Sequence, residues 1–214
     1  MGVNMLLFML ENCLVDLKID YSSVWPLLPE KMHLQYSNVF EALRVLRRSI
    51  PRKKYNLLVK EVTNHVSSLE DAAVKSSRLV FDPASILPEV RKRNVTVAVL
   101  SLLGEKALRR ALELHGLENH FDTYVARARV DQPPGFMFPL RMARLLVKDR
   151  PGSILFFCAD SDTIRRVREA AVSGVRIVAL PAKPSEVRNI VMAKPDIFLP
   201  NIYEVVDLID LGLA

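Results

Sequence analysis

Acidic side chains follow two short apolar runs, and acids placed there are the chain's main chemical resource. Glu11 follows Val3 to Leu10, and Asp160 and Asp162 follow Ile154 to Ala159. Carboxylate oxygens are hard donors, so Glu11, Asp160 and Asp162 together could attract a cation such as magnesium. An equally ordinary role for Asp160 or Ser161 is to cap the helix that follows, because a short polar side chain accepts from its first free N–H groups. Ser101, after VTVAVL, offers a hydroxyl that could hold an anionic oxygen or cap the next helix in the same way. Cys13 and Cys158 could be a redox pair, but two small buried hydrophobes are the simpler expectation. His115 and His120 straddle Gly116, which breaks the helix that would align them, and no thiol or acid cluster joins them, so zinc is not expected. His33 and His65 stand isolated. Ser101 lacks a G-x-S-x-G frame, which removes a serine hydrolase, and there is neither a G-x-G-x-x-G nor a Walker A loop.

These groups need a scaffold, and the pattern around them supplies one. Val3 to Leu10, Val95 to Leu100, Ile154 to Ala159 and Val175 to Leu180 are short, nearly continuous apolar runs, as expected of strands covered on both faces. Helical patterns lie between them at Lys106 to Leu114, Phe138 to Val147 and Thr163 to Val172. Strand alternating with helix predicts an α/β fold with a doubly wound, Rossmann-like, mostly parallel sheet. Gly116 and Gly174 fall just past two of these helices, where a left-handed C-cap is expected. Composition agrees: 214 residues, 50% hydrophobic and 25% charged, suit a sizeable globular core and exclude a disordered chain or a disulfide scaffold. No apolar stretch approaches the roughly 20 residues of a membrane span, and Glu11 and Asp16 interrupt any signal-peptide reading of the first residues. Leu6 replaces the hydroxyl residue of a myristoylation signal. A cytoplasmic setting with reduced thiols is the expectation.

The stretch from about Leu17 to Val80 breaks the rhythm. No convincing strand is visible there, while Val39, Leu43, Leu46 and Ile50, then Tyr55, Leu58, Val62 and Val66, recur at helical spacing, with Pro51 able to open the second helix. It contains Arg44, Arg47, Arg48, Arg52, Lys53 and Lys54, six basic residues in eleven with no acid among them, in a chain of net charge +6. Such a run could meet nucleic acid or an acidic partner. With Tyr55 the lone aromatic close by, a solvated face is preferred.

The order of parts resembles the haloacid dehalogenase-like hydrolases, especially phosphoglycolate-phosphatase-like members with a helical cap inserted after the first strand. Phe8 to Asp16 follows the frame of that family's opening F-D-x-D-G-T-L-x-D. Phe81 to Ser101 is similar to its helix and second strand, Leu112 to Val125 to its L-x-x-x-G-L-x-x-x-F-D segment, and Asp196 to Ile209 to its closing strand and helix. The resemblance implies a core of residues 1–16 and 81–214 with a cap at 17–80. It also implies an aspartyl-phosphate mechanism, and there the residues depart from it. Met9 stands at the nucleophile's position, where a thioether can be neither an anionic oxygen nucleophile nor a hard-cation ligand. Glu11 stands at the acid/base position, Asn12 replaces a glycine and Cys13 a threonine. Ser101 matches the hydroxyl that binds a phosphoryl oxygen. Gln132 takes the place of the phosphate-neutralising lysine, for which Arg127 or Arg129 could substitute only as unequal partners and are read as surface charges. Ala159 to Asp162 resembles the metal-binding G-D-x-x-x-D, in uncertain register, which makes Glu11, Asp160 and Asp162 the metal candidates.

The expected function is therefore that of a family-like protein that has lost phosphoaspartate chemistry and acts by binding a small anionic ligand or a partner protein, with homo-oligomers allowed. Nucleic acid and membrane are not expected partners. The alternative is a magnesium-dependent phosphomonoester hydrolase with a non-standard site, magnesium being the one cofactor implied. A further alternative is nucleic-acid or acidic-partner binding through the basic segment.

Overall fold

A computed structural model describes residues 2–36, 38–131, 137–146 and 153–210. Its strands are β1 (Val3–Met9), β2 (Val15–Asp16), β3 (Arg78–Leu79), β4 (Thr96–Gly104), β5 (Thr123–Arg127), β6 (Ser153–Cys158), β7 (Val175–Ala179) and β8 (Ile197–Phe198). Six of them form one sheet in the order β5-β4-β1-β6-β7-β8, every pair parallel, as the alternating pattern predicts. β1 is central. Met5, Leu6, Leu7 and Phe8 are completely buried, which is why the run reads as apolar without alternation. Met9 lies opposite Leu100 in the ladder and Phe8 opposite Phe157, so the residues that follow these strands emerge along one edge of the sheet.

The helices are α1 (Glu30–Gln35), α2 (Val39–Ser49), α3 (Arg52–Ser76), α4 (Leu87–Arg91), α5 (Glu105–Leu114), α6 (Met137–Leu146), α7 (Ser161–Ala170), α8 (Val187–Met192) and α9 (Glu204–Asp210). Asn38 starts α2 by accepting from Phe40 N–H and Glu41 N–H, and Pro51 is the N-cap of α3. The stripe Val39, Leu43, Leu46, Tyr55, Val62 and Val66 is buried in a hydrophobic cluster of its own, to which Val130 also belongs. A second, larger cluster fills the sheet and its flanking helices. α5 ends as predicted: Gly116 has a φ of +67°, and Leu117 N–H closes the turn on Leu112 O at 2.7 Å.

Three local expectations are corrected. The stretch 17–80 does contain a strand, β3, paired antiparallel with β2; a two-residue ladder is too short for periodicity to reveal. The left-handed residue that closes α7 is Ala171 with φ +47°, while Gly174, at +76°, turns the chain into β7 three residues later. β4 does not stop at Leu100 but runs to Gly104, with its pairing to β5 interrupted in between. That interruption frees the backbone of the segment 101–103 to face the sheet's edge.

Candidate site at the sheet edge

The segment after β1 curls back on itself, with Leu14 N–H and Val15 N–H both donating to Leu10 O and Asn12 N–H to Val15 O. Asn12 accepts the left-handed conformation this requires, with φ +62°. The curl turns Glu11 toward the end of β4. Its Oε1 accepts from Ser101 Oγ at 2.8 Å, from Leu102 N–H at 2.8 Å and from Leu103 N–H at 3.2 Å. Its Oε2 is buried and has no hydrogen-bond partner among the described residues. Burial pushes the Glu11 carboxyl above its ordinary value, and the bonds from Ser101, Leu102 and Leu103 offset only part of that rise. Met9, at the end of β1, is 3% exposed and belongs to the core.

Ser101 is completely buried. It does not cap α5, whose N-cap is Gly104 without a side-chain bond; its hydroxyl donates to Glu11 and accepts from Leu103 N–H at 3.1 Å. Asp160 does cap α7, accepting from Thr163 N–H at 2.8 Å through Oδ1, while its Oδ2 is buried and unpartnered among the described residues. Asp162 is turned outward, its side chain 67% exposed and 3.8 Å from both Arg165 and Arg166. Gln132 lies outside the described residues. Cys13 and Cys158 are free and buried, and burial pushes both thiols up, which suits small hydrophobes rather than a reactive pair.

Arg127 is corrected from a surface charge to a largely covered one. Its side chain is 9% exposed, and it pairs with Glu70 at 2.8 Å. Glu70 also accepts from Tyr21 OH at 3.1 Å, and through Oε2 from Gly104 N–H at 3.1 Å. Arg127 Nη1 donates to Leu102 O at 3.1 Å, and its guanidinium lies over the Phe40 ring. Gly104 suits this approach, since a Cβ there would stand 3.3 Å from Glu70 Oε2. Arg129 is an exposed residue, as expected, although it binds Asp131, which also accepts from Tyr55 OH at 2.8 Å. Burial raises the Asp131 carboxyl, but Arg129 and Tyr55 more than offset this and hold it low. The sequence reading missed Glu70 and Tyr21. A signal for Glu70 was present: it continues Val62 and Val66 at a spacing of four and precedes Val74, a charge on an otherwise apolar stripe.

The fold seen here is that of haloacid dehalogenase-like hydrolases. A predicted phosphatase from Clostridium acetobutylicum superposes with a TM-score of 0.62 at 12% identity, covering 99% of this chain and 100% of that one. A haloacid dehalogenase-like family hydrolase from Streptococcus pneumoniae gives 0.60 at 13% identity, over 96% and 97%. A hydrolase of the same superfamily from Ehrlichia chaffeensis gives 0.54 at 17% identity, over 100% and 98%. No family model matches the sequence, and no curated protein does.

A fold of this kind implies a magnesium ion at the sheet edge. The described residues do not gather a full ligand set for one. Met9 brings a thioether, Asp162 faces solvent, and Glu11 Oε1 and Asp160 Oδ1 are taken up by hydrogen bonds, which leaves Glu11 Oε2 and Asp160 Oδ2 as the buried carboxylate oxygens without a partner among the described residues. The expected trio Glu11, Asp160 and Asp162 is thus not gathered, and among the described residues no three acidic, histidine or thiol side chains meet as a metal group. No helix among the described residues is long and apolar enough to cross a membrane.

Proposed function

We propose that this chain uses its haloacid dehalogenase-like fold for binding rather than for phosphoaspartate chemistry. The observation that carries the reading is Met9, a core thioether at the end of β1, where attack on phosphorus requires an anionic oxygen. Loss of the attacking group removes most of a shared mechanism, because such residues act as a unit. A ligand or partner has a place to dock elsewhere along the same side of the sheet. Beyond the ends of β7 and β8 lies a crevice of about 400 Å³, lined by Cys13, Phe81, Asp82, Leu180, Asn201 and Tyr203 among others. The proposed setting is cytoplasmic, where Cys13 and Cys158 stay reduced.

The test is turnover of a broad phosphomonoester panel, with magnesium and with chelator, by wild type, Glu11→Gln and Met9→Asp. No turnover by folded wild type is expected. Magnesium-dependent turnover that Glu11→Gln abolishes would overturn the reading. Activity gained by Met9→Asp would show that the site still recognises a phosphate ester.

A second reading, a phosphomonoester hydrolase with a non-standard site, is favoured by the solved structures that share the fold, several of which are described as phosphatases or hydrolases. In that reading Glu11, with its carboxyl raised by burial, would carry the proton, and Ser101 would have to release Glu11 to hold phosphate.

A further inference from the structure

Three aromatic side chains of the helical segment 17–80 line one hollow of about 260 Å³, together with Asp20 and Asn38 among others. We propose that this hollow binds a trimethylammonium group, which Tyr21, Trp25 and Phe40 receive by cation–π attraction and Asp20 by charge. It shares no lining residue with the crevice beyond β7 and β8, and the inference goes beyond the non-hydrolytic reading without depending on it.

The rings are held from outside the hollow. Tyr21 OH donates to Glu70 at 3.1 Å, and the Tyr21 ring meets Phe40 edge to face with centroids 4.9 Å apart. His33 stacks on Trp25 at 4.9 Å, with 23° between the planes. The Arg127 guanidinium lies 5.1 Å from the Phe40 centroid, so that ring already receives one cation, and Glu70 neutralises it at 2.8 Å. All three rings stay partly exposed, although each packs against the apolar cluster of its own segment. Rings fixed in advance lose little freedom when a ligand arrives, and a cation within about 6 Å of their faces is attracted by each.

The lining also decides the sign and type of ligand. In a chain of net charge +6, the one charged residue described in the lining is an acid. Asp20 is exposed and makes no ion pair among the described residues; its oxygens accept from Ser22 N–H and from Ser22 Oγ–H, both at 2.8 Å. Those bonds hold its carboxyl below the ordinary value of 3.8, and it is charged at neutral pH. A primary ammonium brings three N–H donors that need acceptors, but Asn38 Oδ1 is already taken by Phe40 N–H and Glu41 N–H. A quaternary ammonium asks for no acceptor, and its methyl groups bury against the rings.

Trp25 is the only tryptophan in the chain, so its emission reports on the hollow directly. The experiment titrates the full chain with tetramethylammonium chloride and with choline chloride, at ionic strength held constant by sodium chloride. It follows Trp25 emission together with the Trp25 indole N–H resonance. Saturable changes with midpoints in the millimolar range are expected. Ammonium chloride and the uncharged carbon isostere of choline should produce none. Asp20→Asn keeps an acceptor for Ser22 and removes the charge, and it should weaken binding about threefold. Phe40→Leu should weaken it about fivefold, the loss of one ring. Trimethyl-lysine blocked at both ends separates the sources of such a group. Tighter binding than choline assigns the hollow to a methylated side chain, weaker binding assigns it to a free small molecule, and either supports the site. A response that grows linearly with tetramethylammonium, an equal response to the uncharged isostere, or full affinity in both variants would overturn the proposal. If Phe40→Leu does not fold, Asp20→Asn decides alone, and unchanged affinity there overturns it. Turnover in the phosphomonoester panel would sink the non-hydrolytic reading and leave a successful titration standing, whereas a failed titration without turnover would sink the hollow alone.

Discussion

Glu11 and Glu70 reach the same end of β4 from different elements and meet it with different company. Glu70, on α3, is 1% exposed and arrives with a cation: Arg127 pairs with it at 2.8 Å, and Tyr21 and Gly104 supply further donors. Glu11, beyond β1, meets only neutral donors, and one of its oxygens is left with none. A buried carboxylate is costly unless paired and hydrogen-bonded. The comparison teaches that the same side chain can be held inside by a cation or by neutral donors alone. Glu70 ties α3 to β5 and to the end of β4, so removing its partner breaks structure. Glu11 is held by neutral donors alone, so a neutral acceptor of the same shape can stand in for it.

The largest effect should come from Arg127→Met, which strands Glu70 in the interior. A loss of about 3–5 kcal/mol is expected by chemical denaturation, with part of it restored in the Arg127→Met/Glu70→Gln pair. A loss below 1 kcal/mol would show that the joint is not a buried ion pair in solution. Tyr21→Phe removes one donor from Glu70 and should cost about 1 kcal/mol. A cost equal to that of Arg127→Met would mean the hydroxyl, not the cation, holds the joint.

Glu11→Gln should change stability at neutral pH by less than about 1 kcal/mol, because the amide oxygen can still accept from the same donors while the desolvated charge is gone. Its pH profile sharpens the contrast. The folded carboxyl lies above its ordinary value of 4.5, so the folded state binds the proton more readily than the unfolded one. The stability this contributes is fully present below 4.5 and is lost as pH rises through the folded value. Wild type should therefore lose ground to Glu11→Gln as pH rises through that window, in parallel denaturation series. Parallel curves would show that Glu11 is not buried as described. The smallest effect belongs to the basic corner. Arg47, Arg48, Lys53 and Lys54 are exposed and make no ion pair among the described residues, so replacing all four with serine should shift stability by less than about 0.5 kcal/mol. The same variant tests the acidic-partner alternative: steeply salt-dependent binding of duplex nucleic acid by wild type, flattened in the variant, would count for it.

Much of the fold is legible because it is written in local pattern. Four apolar runs became β1, β4, β6 and β7, and the stripe from Val39 to Val66 became α2 and α3, since a strand or helix buried on a given face must show that face in its residue types. β3 was not legible, because a two-residue ladder exists only through its partner β2. That residue 9 is a thioether was legible from the sequence. Where Glu11 turns was not.

The sequence by itself determined the alternation of strands and helices, the apolar stripes, the left-handed Gly116 and the thioether at residue 9, all consequences of what a residue can be within its own few neighbours. Only the tertiary structure decided that Glu11 turns onto Ser101, Leu102 and Leu103, ninety or more positions away, that Arg127 pairs with Glu70, and that Asp162 faces solvent. The physical reason is that a hydrogen bond or ion pair between distant residues depends on where the packed sheet and helices bring their atoms, and residue type alone carries no record of that meeting.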